Sequence, residues 1–200
     1  MSIKIDKGKI KDALRILRSP DESIPMWSHL TSKVQGGIFI TPDGYLAAVA
    51  QRGWTNTGSE ATLHIGNLEY GTYEWKARIV NPTANRKLYV GLSEKAPGCY
   101  EAGLIFMQCN AGTYQTESRH EGTSTLTNLT GQDWTVERTF KVAFSSTSIQ
   151  YYVDGALVAT HTTNIPLPTN LHIIFIEAWQ LATADATDGE VYAKGWRKIA

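Results

Sequence analysis

Carboxylates next to apolar runs are the side chains of this sequence best suited to catalysis. Glu177 follows the apolar run 171–176, and Glu101 precedes a second one, 102–107. If Glu177 lies in a partly buried cleft, desolvation raises its pKa, as a general acid or base requires. The alternative is that Glu177 pairs with an arginine at the end of a sheet.

Other kinds of active site have little support in the sequence. The five histidines are scattered, without the spacing of metal ligands. Neither Cys99 nor Cys109 lies in a reactive motif, and both are predicted to be free thiols. No glycine-rich phosphate loop or Ser/His/Asp pattern occurs. We therefore predict neither a metal nor a cofactor.

Aromatic and amide side chains suggest binding of a sugar, since flat rings stack on sugar faces and polar groups recognise hydroxyls. For each residue, packing in the core or at a sheet edge is the alternative. Gln115, Glu117 and His120 are further residues that could line a cleft. The candidate carbohydrate-binding residues are Trp54, Tyr89, Gln108, Tyr114, Trp134, Glu177 and Trp179.

The elements that must position these residues are predicted to be strands. From residue 24 onward, short apolar or alternating runs are separated by turn signals such as Asp154-Gly155, which is typical of an antiparallel β-sandwich. Residues 7–18 have the spacing of an amphipathic helix. We therefore predict an N-terminal arm, 1–23, and one sandwich domain, 24–200. The helix has an apolar stripe that either packs on the chain's own domain or serves as an assembly surface for another copy or a partner. The stripe consists of Ile10, Ala13, Leu14 and Leu17.

Charge and hydropathy argue against nucleic-acid and membrane partners. The formal net charge is 0, although the first 18 residues carry six Lys and Arg against two Asp. No apolar run approaches the ~20 residues of a membrane span, and the N-terminus lacks the apolar segment of a signal peptide. The expectation is cytoplasmic synthesis.

Several segments, in order, resemble the concanavalin A-like lectin/glucanase superfamily, and most closely glycoside hydrolase family sixteen, the laminarinases and lichenases. The likeness covers roughly residues 35–200 and implies a jelly-roll sandwich. The segments that carry it are 43–46 (DGYL), 68–79 (LEYGTYEWKARI), 148–155 (SIQYYVDG), 165–168 (IPLP), 171–179 and 191–199.

The resemblance also bears on catalysis. The active strand of that family carries Glu-x-Asp-x-Glu, which places the catalytic carboxyls on one face. By order, the equivalent strand is 101–108, where only Glu101 matches and Gly103 and Ile105 stand at the other positions. The family's frequent calcium-ligand Asp is also missing, since Ala193-Lys194 stands there. The resemblance therefore implies no catalysis by the family mechanism, and we predict that the chain is not an enzyme.

The apolar pattern of two strands suggests that the cleft is covered. Runs 102–107 and 171–176 are apolar on both faces, as if neighbouring cleft strands lay under a lid, a second subunit or the arm. We therefore predict a non-catalytic structural or assembly protein, for example a virion surface or decoration protein, that associates with itself or with a particle. The alternatives are a lectin-like glycan-binding module and, less favoured, an active β-glucanase.

Overall fold

The computed structural model describes residues 29–33, 37–50, 57–64, 68–93, 103–168, 173–181 and 185–199. These residues form fourteen strands. In chain order they are β1 His29–Lys33, β2 Gly37–Ile40, β3 Leu46–Ala50, β4 Thr57–His64, β5 Gly71–Val80, β6 Arg86–Ser93, β7 Gly103–Asn110, β8 Thr113–His120, β9 Thr123–Asn128, β10 Arg138–Phe144, β11 Ile149–Val153, β12 Ala156–His161, β13 Ile173–Gln180 and β14 Gly189–Lys198.

The strands form two antiparallel sheets of seven. Sheet A has the order β1-β4-β13-β6-β7-β8-β9, and sheet B has the order β12-β11-β10-β5-β14-β3-β2. Adjacent strands in space are often far apart in sequence, as in the jelly roll that the resemblance implies. The predicted antiparallel β-sandwich is confirmed.

The space between the sheets is filled from both sides by alternating apolar side chains. In β5 the buried positions include Trp75, Ala77 and Ile79, with more exposed residues between them. The Trp75 ring stacks on that of Trp196, with a centroid distance of 4.4 Å. We call the face of each sheet that points away from this core its outer face.

Two tight turns fix the register of β7, β8 and β9. Ala111-Gly112 and Glu121-Gly122 both have positive φ at both residues, from 47° to 78°. This is the pattern of type I′ turns, whose twist matches that of the flanking strands. The turns set which residues of the three strands lie opposite one another.

The structure corrects several predictions about elements. The predicted helix 7–18, its stripe of Ile10, Ala13, Leu14 and Leu17, and the arm boundary lie outside the described residues, and self-association stays a prediction. β9 (TSTLTN) was not predicted, because its Ser and Thr residues lack an apolar alternation. The prediction that runs 102–107 and 171–176 form neighbouring strands is wrong, because β6 lies between β7 and β13.

Within the described ranges, no helix is long and apolar enough to cross a membrane. Cys109 is a free thiol in the core, as predicted, and burial raises its pKa to about 11. It is therefore a packing residue rather than a nucleophile at neutral pH. Cys99 lies outside the described residues.

A buried arginine ties the loop before β14 to the start of β6. Arg86 is fully buried, and its guanidinium donates to Gln180 Oε1 (2.9 Å) and to the carbonyl oxygens of Asn81 (2.6 Å) and Thr187. Its Nε also lies 3.2 Å from Asp185 Oδ2. Gly189 is needed beside it, since a Cβ there would overlap the Arg86 side chain.

We predict that Arg86→Met lowers the free energy of unfolding by about 3–5 kcal/mol, because it leaves a carboxylate and buried acceptors without their cation. Urea unfolding measures the change. The control is Arg197→Met, which removes an exposed ion pair with Glu74 and should cost about 1 kcal/mol or less. Equal losses in the two variants would contradict this role of Arg86.

A buried histidine connects the two sheets where β8 and β9 of sheet A pack against β12 of sheet B. His161 of β12 lies 2.9 Å from Ser118 Oγ, 3.2 Å from Thr116 Oγ1 and 3.0 Å from Thr127 Oγ1. The ring also packs against that of Tyr151, at 4.9 Å between centroids. Burial lowers the pKa of His161, although the charge of Glu117 opposes this.

This lowered pKa predicts a loss of stability in mild acid. Below about pH 6.5 the unfolded chain binds a proton at His161 that the folded chain does not, so the stability present above that pH falls as the pH decreases. His161→Gln should flatten the dependence of the unfolding free energy on pH between about 5 and 6.5. A wild-type slope in a folded His161→Gln variant would show that His161 does not cause it.

Candidate functional site

The outer face of sheet A carries the candidate site. In β6, Leu88, Val90 and Leu92 point into the core, so Tyr89 lies on the outer face. By the same alternation, Ile176 and Ala178 of β13 belong to the core, and Glu177 and Trp179 lie on the outer face. Polar side chains and a tryptophan thus share this face.

Five of its side chains form a continuous row across five strands, which we call the polar row. Each member lies directly opposite the next: Glu177 with Tyr89, Tyr89 with Gln108, Gln108 with Gln115, and Gln115 with Asn128. Directly opposed residues in an antiparallel sheet interact. The row therefore brings a carboxyl, a phenol and three amides into one line.

Hydrogen bonds between amides order one end of the row. Gln108 Nε2 donates to Gln115 Oε1 (3.3 Å), and Gln115 Nε2 donates to Asn128 Oδ1 (2.7 Å). The same Gln108 nitrogen also donates to Glu117 Oε2 (3.0 Å). Because a carboxylate oxygen only accepts, the nitrogen of the Gln108 amide must face Glu117.

This orientation leaves Gln108 Oε1 without a hydrogen bond, although the side chain is only 1% exposed. A buried acceptor without a donor costs free energy, on the order of 1–3 kcal/mol. Gln108 Oε1 is therefore an unsatisfied, covered acceptor at the centre of the polar row.

Glu117 supports the row from the adjacent position on β8. Its Oε1 accepts from Arg119 Nη2 (2.9 Å) and Ser124 Oγ (2.7 Å), and its Oε2 accepts from Gln108. Both oxygens are therefore occupied. Glu117 acts as an anchor for Gln108.

Two buried carboxyl groups affect the pKa of Tyr89. Glu177 is 5% exposed and Glu117 is 6% exposed. Burial, together with the charges of Glu177 and Glu117, raises the pKa of Tyr89. The phenol stays protonated at neutral pH and remains a hydrogen-bond donor next to Glu177.

Trp179 is positioned by a glycine on the neighbouring strand. Gly58 of β4 lies opposite Trp179, and a Cβ at Gly58 would overlap both the Trp179 ring and the carbonyl oxygen of Ala178. The indole therefore occupies the space that a side chain would fill. Trp179 remains partly exposed, which suits a ring that stacks on a ligand.

The predicted site residues divide into three groups. Tyr89, Gln108, Glu177 and Trp179 come together on the outer face of sheet A. Trp134 is fully buried, and Tyr114 packs on it at 4.6 Å between ring centroids, so both are core residues rather than part of this face. Trp54 lies outside the described residues.

Sequence reasoning named Gln115 and Glu117 only as general cleft residues and missed Gly58 and Asn128. Asn128 ends a strand that was not predicted. The one available signal was the spacing in β8, where Gln115 and Glu117 alternate with Tyr114, Thr116 and Ser118. It indicates two polar neighbours on a common face, but not which strands flank them.

The architecture is shared with enzymes that act on polysaccharides. A β-glucanase of Bacillus licheniformis has a TM-score of 0.69 and 16% identity, over 92% of this chain and 95% of that one. The chain has a β-glucanase fold. A lichenase from a mouse hindgut metagenome gives a TM-score of 0.64 and 14% identity, over 92% of this chain and 97% of that one. A Crh5 transglycosylase has a TM-score of 0.64 and 14% identity, over 90% of this chain and 80% of that one.

Neither the protein-family models nor the curated proteins give a match to this sequence. The structural similarities confirm the predicted resemblance to the glucanases of family sixteen. At sequence identities of 14–16%, they show that the fold is shared.

The predicted non-catalytic assembly protein, with its virion example, is wrong, and so is the prediction that the chain is not an enzyme. The finding that overturns both predictions is the shared fold, since the similar structures are glucanases and a transglycosylase. Both predictions relied on the absence of the family's carboxyls from 101–108. The outer face also carries Glu117 and Glu177, which come from other strands.

We predict that Gly58→Ala destabilises the fold by about 1–3 kcal/mol, because the new methyl group must displace Trp179 or the β13 backbone. Urea unfolding measures this loss. The same substitution in a Trp179→Ala background should cost less, since the ring part of the overlap is absent. An unchanged unfolding midpoint in Gly58→Ala would contradict the close packing of Trp179 on β4.

Proposed function

We propose that the chain is a carbohydrate-active enzyme that cleaves or transfers glycosidic bonds of a β-glucan bound along the outer face of sheet A. The observation that carries this proposal is the placement of the buried Glu177 within the polar row, beside Tyr89 and in line with Gln108. The similarity to β-glucanases, a lichenase and a transglycosylase supports the choice of substrate class.

The polar row contains the kinds of side chain that such a reaction needs. A carboxyl with little exposure to water suits general acid–base catalysis at neutral pH, since burial disfavours the ionised form. The amides of Gln108 and Gln115 and the phenol of Tyr89 suit the hydroxyl groups of a sugar. Partly exposed Trp179 offers a ring for stacking on the apolar face of a sugar.

The catalytic carboxylate need not lie on β7. The residues of β7 on the outer face include Gln108, which contributes an amide. Glu177 lies two strands away on β13, in register with Gln108 through Tyr89. We assign the reaction to Glu177 and the recognition of a substrate hydroxyl to Gln108.

The test is the release of reducing ends from lichenan and laminarin, together with transfer to a labelled oligosaccharide acceptor. Glu177→Gln should reduce kcat by about 100-fold or more, since it removes acid–base or nucleophilic catalysis while keeping the shape of the side chain. Glu137→Gln is the control. Glu137 forms ion pairs with Lys76 and Lys194. The Glu137→Gln variant should therefore retain full activity.

Thermal unfolding must show that the Glu177→Gln variant is folded. If the wild-type protein neither releases reducing ends nor forms a transfer product from either glucan, the proposed function is wrong. Full activity in a folded Glu177→Gln variant would remove Glu177 from the reaction.

A further inference from the structure

The amides of the polar row are hydrogen-bonded in a single direction. Gln108 on β7 donates to Gln115 on β8, and Gln115 donates to Asn128 on the edge strand β9. In each bond the nitrogen belongs to the strand nearer the middle of sheet A and the oxygen to the strand nearer its edge. At the β9 edge, the row therefore ends on an amide whose oxygen is occupied and whose nitrogen takes no part in the row.

The amides by themselves do not select this direction. Each amide has an oxygen that accepts and a nitrogen that donates, and a half-turn of its last torsion exchanges their positions. If Gln108, Gln115 and Asn128 all turned, Asn128 would donate to Gln115, and Gln115 would donate to Gln108. The row would keep its two hydrogen bonds, so only a neighbour outside the row can decide between the two directions.

Glu117 is the neighbour that decides. It lies two residues after Gln115 on β8, and its Oε2 accepts a hydrogen bond of 3.0 Å from Gln108 Nε2. A carboxylate oxygen has no proton to give, so a turned Gln108 would place its own oxygen against that of Glu117. In the observed direction, the two protons of Gln108 Nε2 have two acceptors, Glu117 and Gln115.

The carboxylate of Glu117 is held by donors on its other oxygen. Arg119 Nη2 donates to Oε1 at 2.9 Å, and Ser124 Oγ of β9 donates to the same oxygen at 2.7 Å. Arg119 Nε in turn donates to Ser124 Oγ at 2.8 Å. Hydrogen bonds to a charged group are short and strong, so they hold the carboxylate in one orientation, with Oε2 directed at Gln108.

The main chain of Glu117 is held from inside the sandwich. Tyr151 of β11, in sheet B, donates from its hydroxyl to the Glu117 carbonyl oxygen at 2.8 Å. The residues on either side, Thr116 and Ser118, lie 3.2 and 2.9 Å from ring nitrogens of His161. Three consecutive residues thus join this part of β8 to sheet B, which makes Glu117 a fixed reference for amides that can rotate.

We propose that Glu117 is a positioning residue that sets the direction of the amides, so that Asn128 presents its nitrogen as a donor to a bound glycan. Asn128 is exposed, and its oxygen is occupied by Gln115. The β9 edge is then a subsite for a sugar oxygen that accepts a hydrogen bond. This inference rests on the proposed function and deepens it, because it names a group that recognises the substrate away from Glu177.

The subsite is remote from the proposed reaction. β9 lies four strands from β13, the strand of Glu177, which at ~4.8 Å per strand is roughly 19 Å. A sugar that contacts Asn128 is therefore several units away from the glycosidic bond beside Glu177. Only a long oligosaccharide reaches both residues, and Asn128 contributes to binding rather than to the chemical step.

The proposal predicts that an isosteric substitution reverses the row. In Glu117→Gln, the new amide oxygen accepts from the two donors that bind Oε1 in the wild type, so the new nitrogen faces Gln108. Gln108 must then present its oxygen, and Gln115 and Asn128 turn in the same sense. Asn128 then exposes an oxygen that accepts instead of a nitrogen that donates.

Neutron diffraction from crystals of deuterated protein tests the direction without any glycan, since it distinguishes a deuterated nitrogen from an oxygen. In the wild type, the Gln108 nitrogen should face Glu117, and in Glu117→Gln the Gln108, Gln115 and Asn128 amides should all be turned. Ser124→Ala is the matched control, because it removes one donor to Glu117 but keeps the carboxylate. Unturned amides in Glu117→Gln, or turned amides in Ser124→Ala, would refute the proposal.

Fluorinated oligosaccharides test the subsite, because fluorine accepts a weak hydrogen bond but cannot donate one. The probes are β-glucan hexasaccharides, each with one hydroxyl replaced by fluorine, titrated by calorimetry into protein that carries Glu177→Gln to prevent turnover. At one position, fluorine should weaken binding by less than about 3-fold when Glu117 is present, but by about 10-fold or more once Glu117→Gln is added. In an Asn128→Ala background, adding Glu117→Gln should make no difference at that position.

The possible failures are distinguishable. If every fluorinated probe loses the same affinity with and without Glu117→Gln, although the neutron structures show a turned row, Asn128 is not a glycan subsite and the proposal is wrong. If no hexasaccharide binds at all, the proposed function is wrong as well, whereas the direction of the amides is still decided by the neutron structures.

Discussion

The register of sheet A is the constraint on which the candidate site depends. Because successive side chains of a strand point to opposite faces, a shift of one residue in any pairing would move Tyr89, Gln108 or Glu177 from the outer face into the core. The apolar partners on the other face, such as Leu88, Val90 and Ile176, make such a shift costly. The packing of the sandwich therefore also aligns the polar row.

The two faces of sheet A differ in their side chains and in their packing. Its inner face contributes to the core and holds His161 through Thr116, Ser118 and Thr127. Its outer face carries the buried carboxyl of Glu177 and the glutamine oxygen of Gln108 that lacks a hydrogen-bond donor. The proposed glucan would bind along this face.

Much of the sandwich could be predicted from the sequence, because most of its strands have local signals. The alternation around Trp75 and the Asp154-Gly155 turn are examples. The pairing of distant strands has no local signal, so the neighbours of β13 were assigned wrongly. The start of β4 at Thr57 brings Gly58 into the sheet, opposite Trp179. Single residues such as Glu177 could be selected by type and context, but their partners on neighbouring strands could not.

The most direct measurement is a crystal structure of the Glu177→Gln variant with a bound β-glucan oligosaccharide. The account predicts a sugar chain on the outer face of sheet A, with a glycosidic bond beside residue 177 and its reacting atoms within about 3–3.5 Å of the side chain. A sugar hydroxyl should donate to Gln108 Oε1. An oligosaccharide bound elsewhere, with Gln108 Oε1 still lacking a donor, would contradict it.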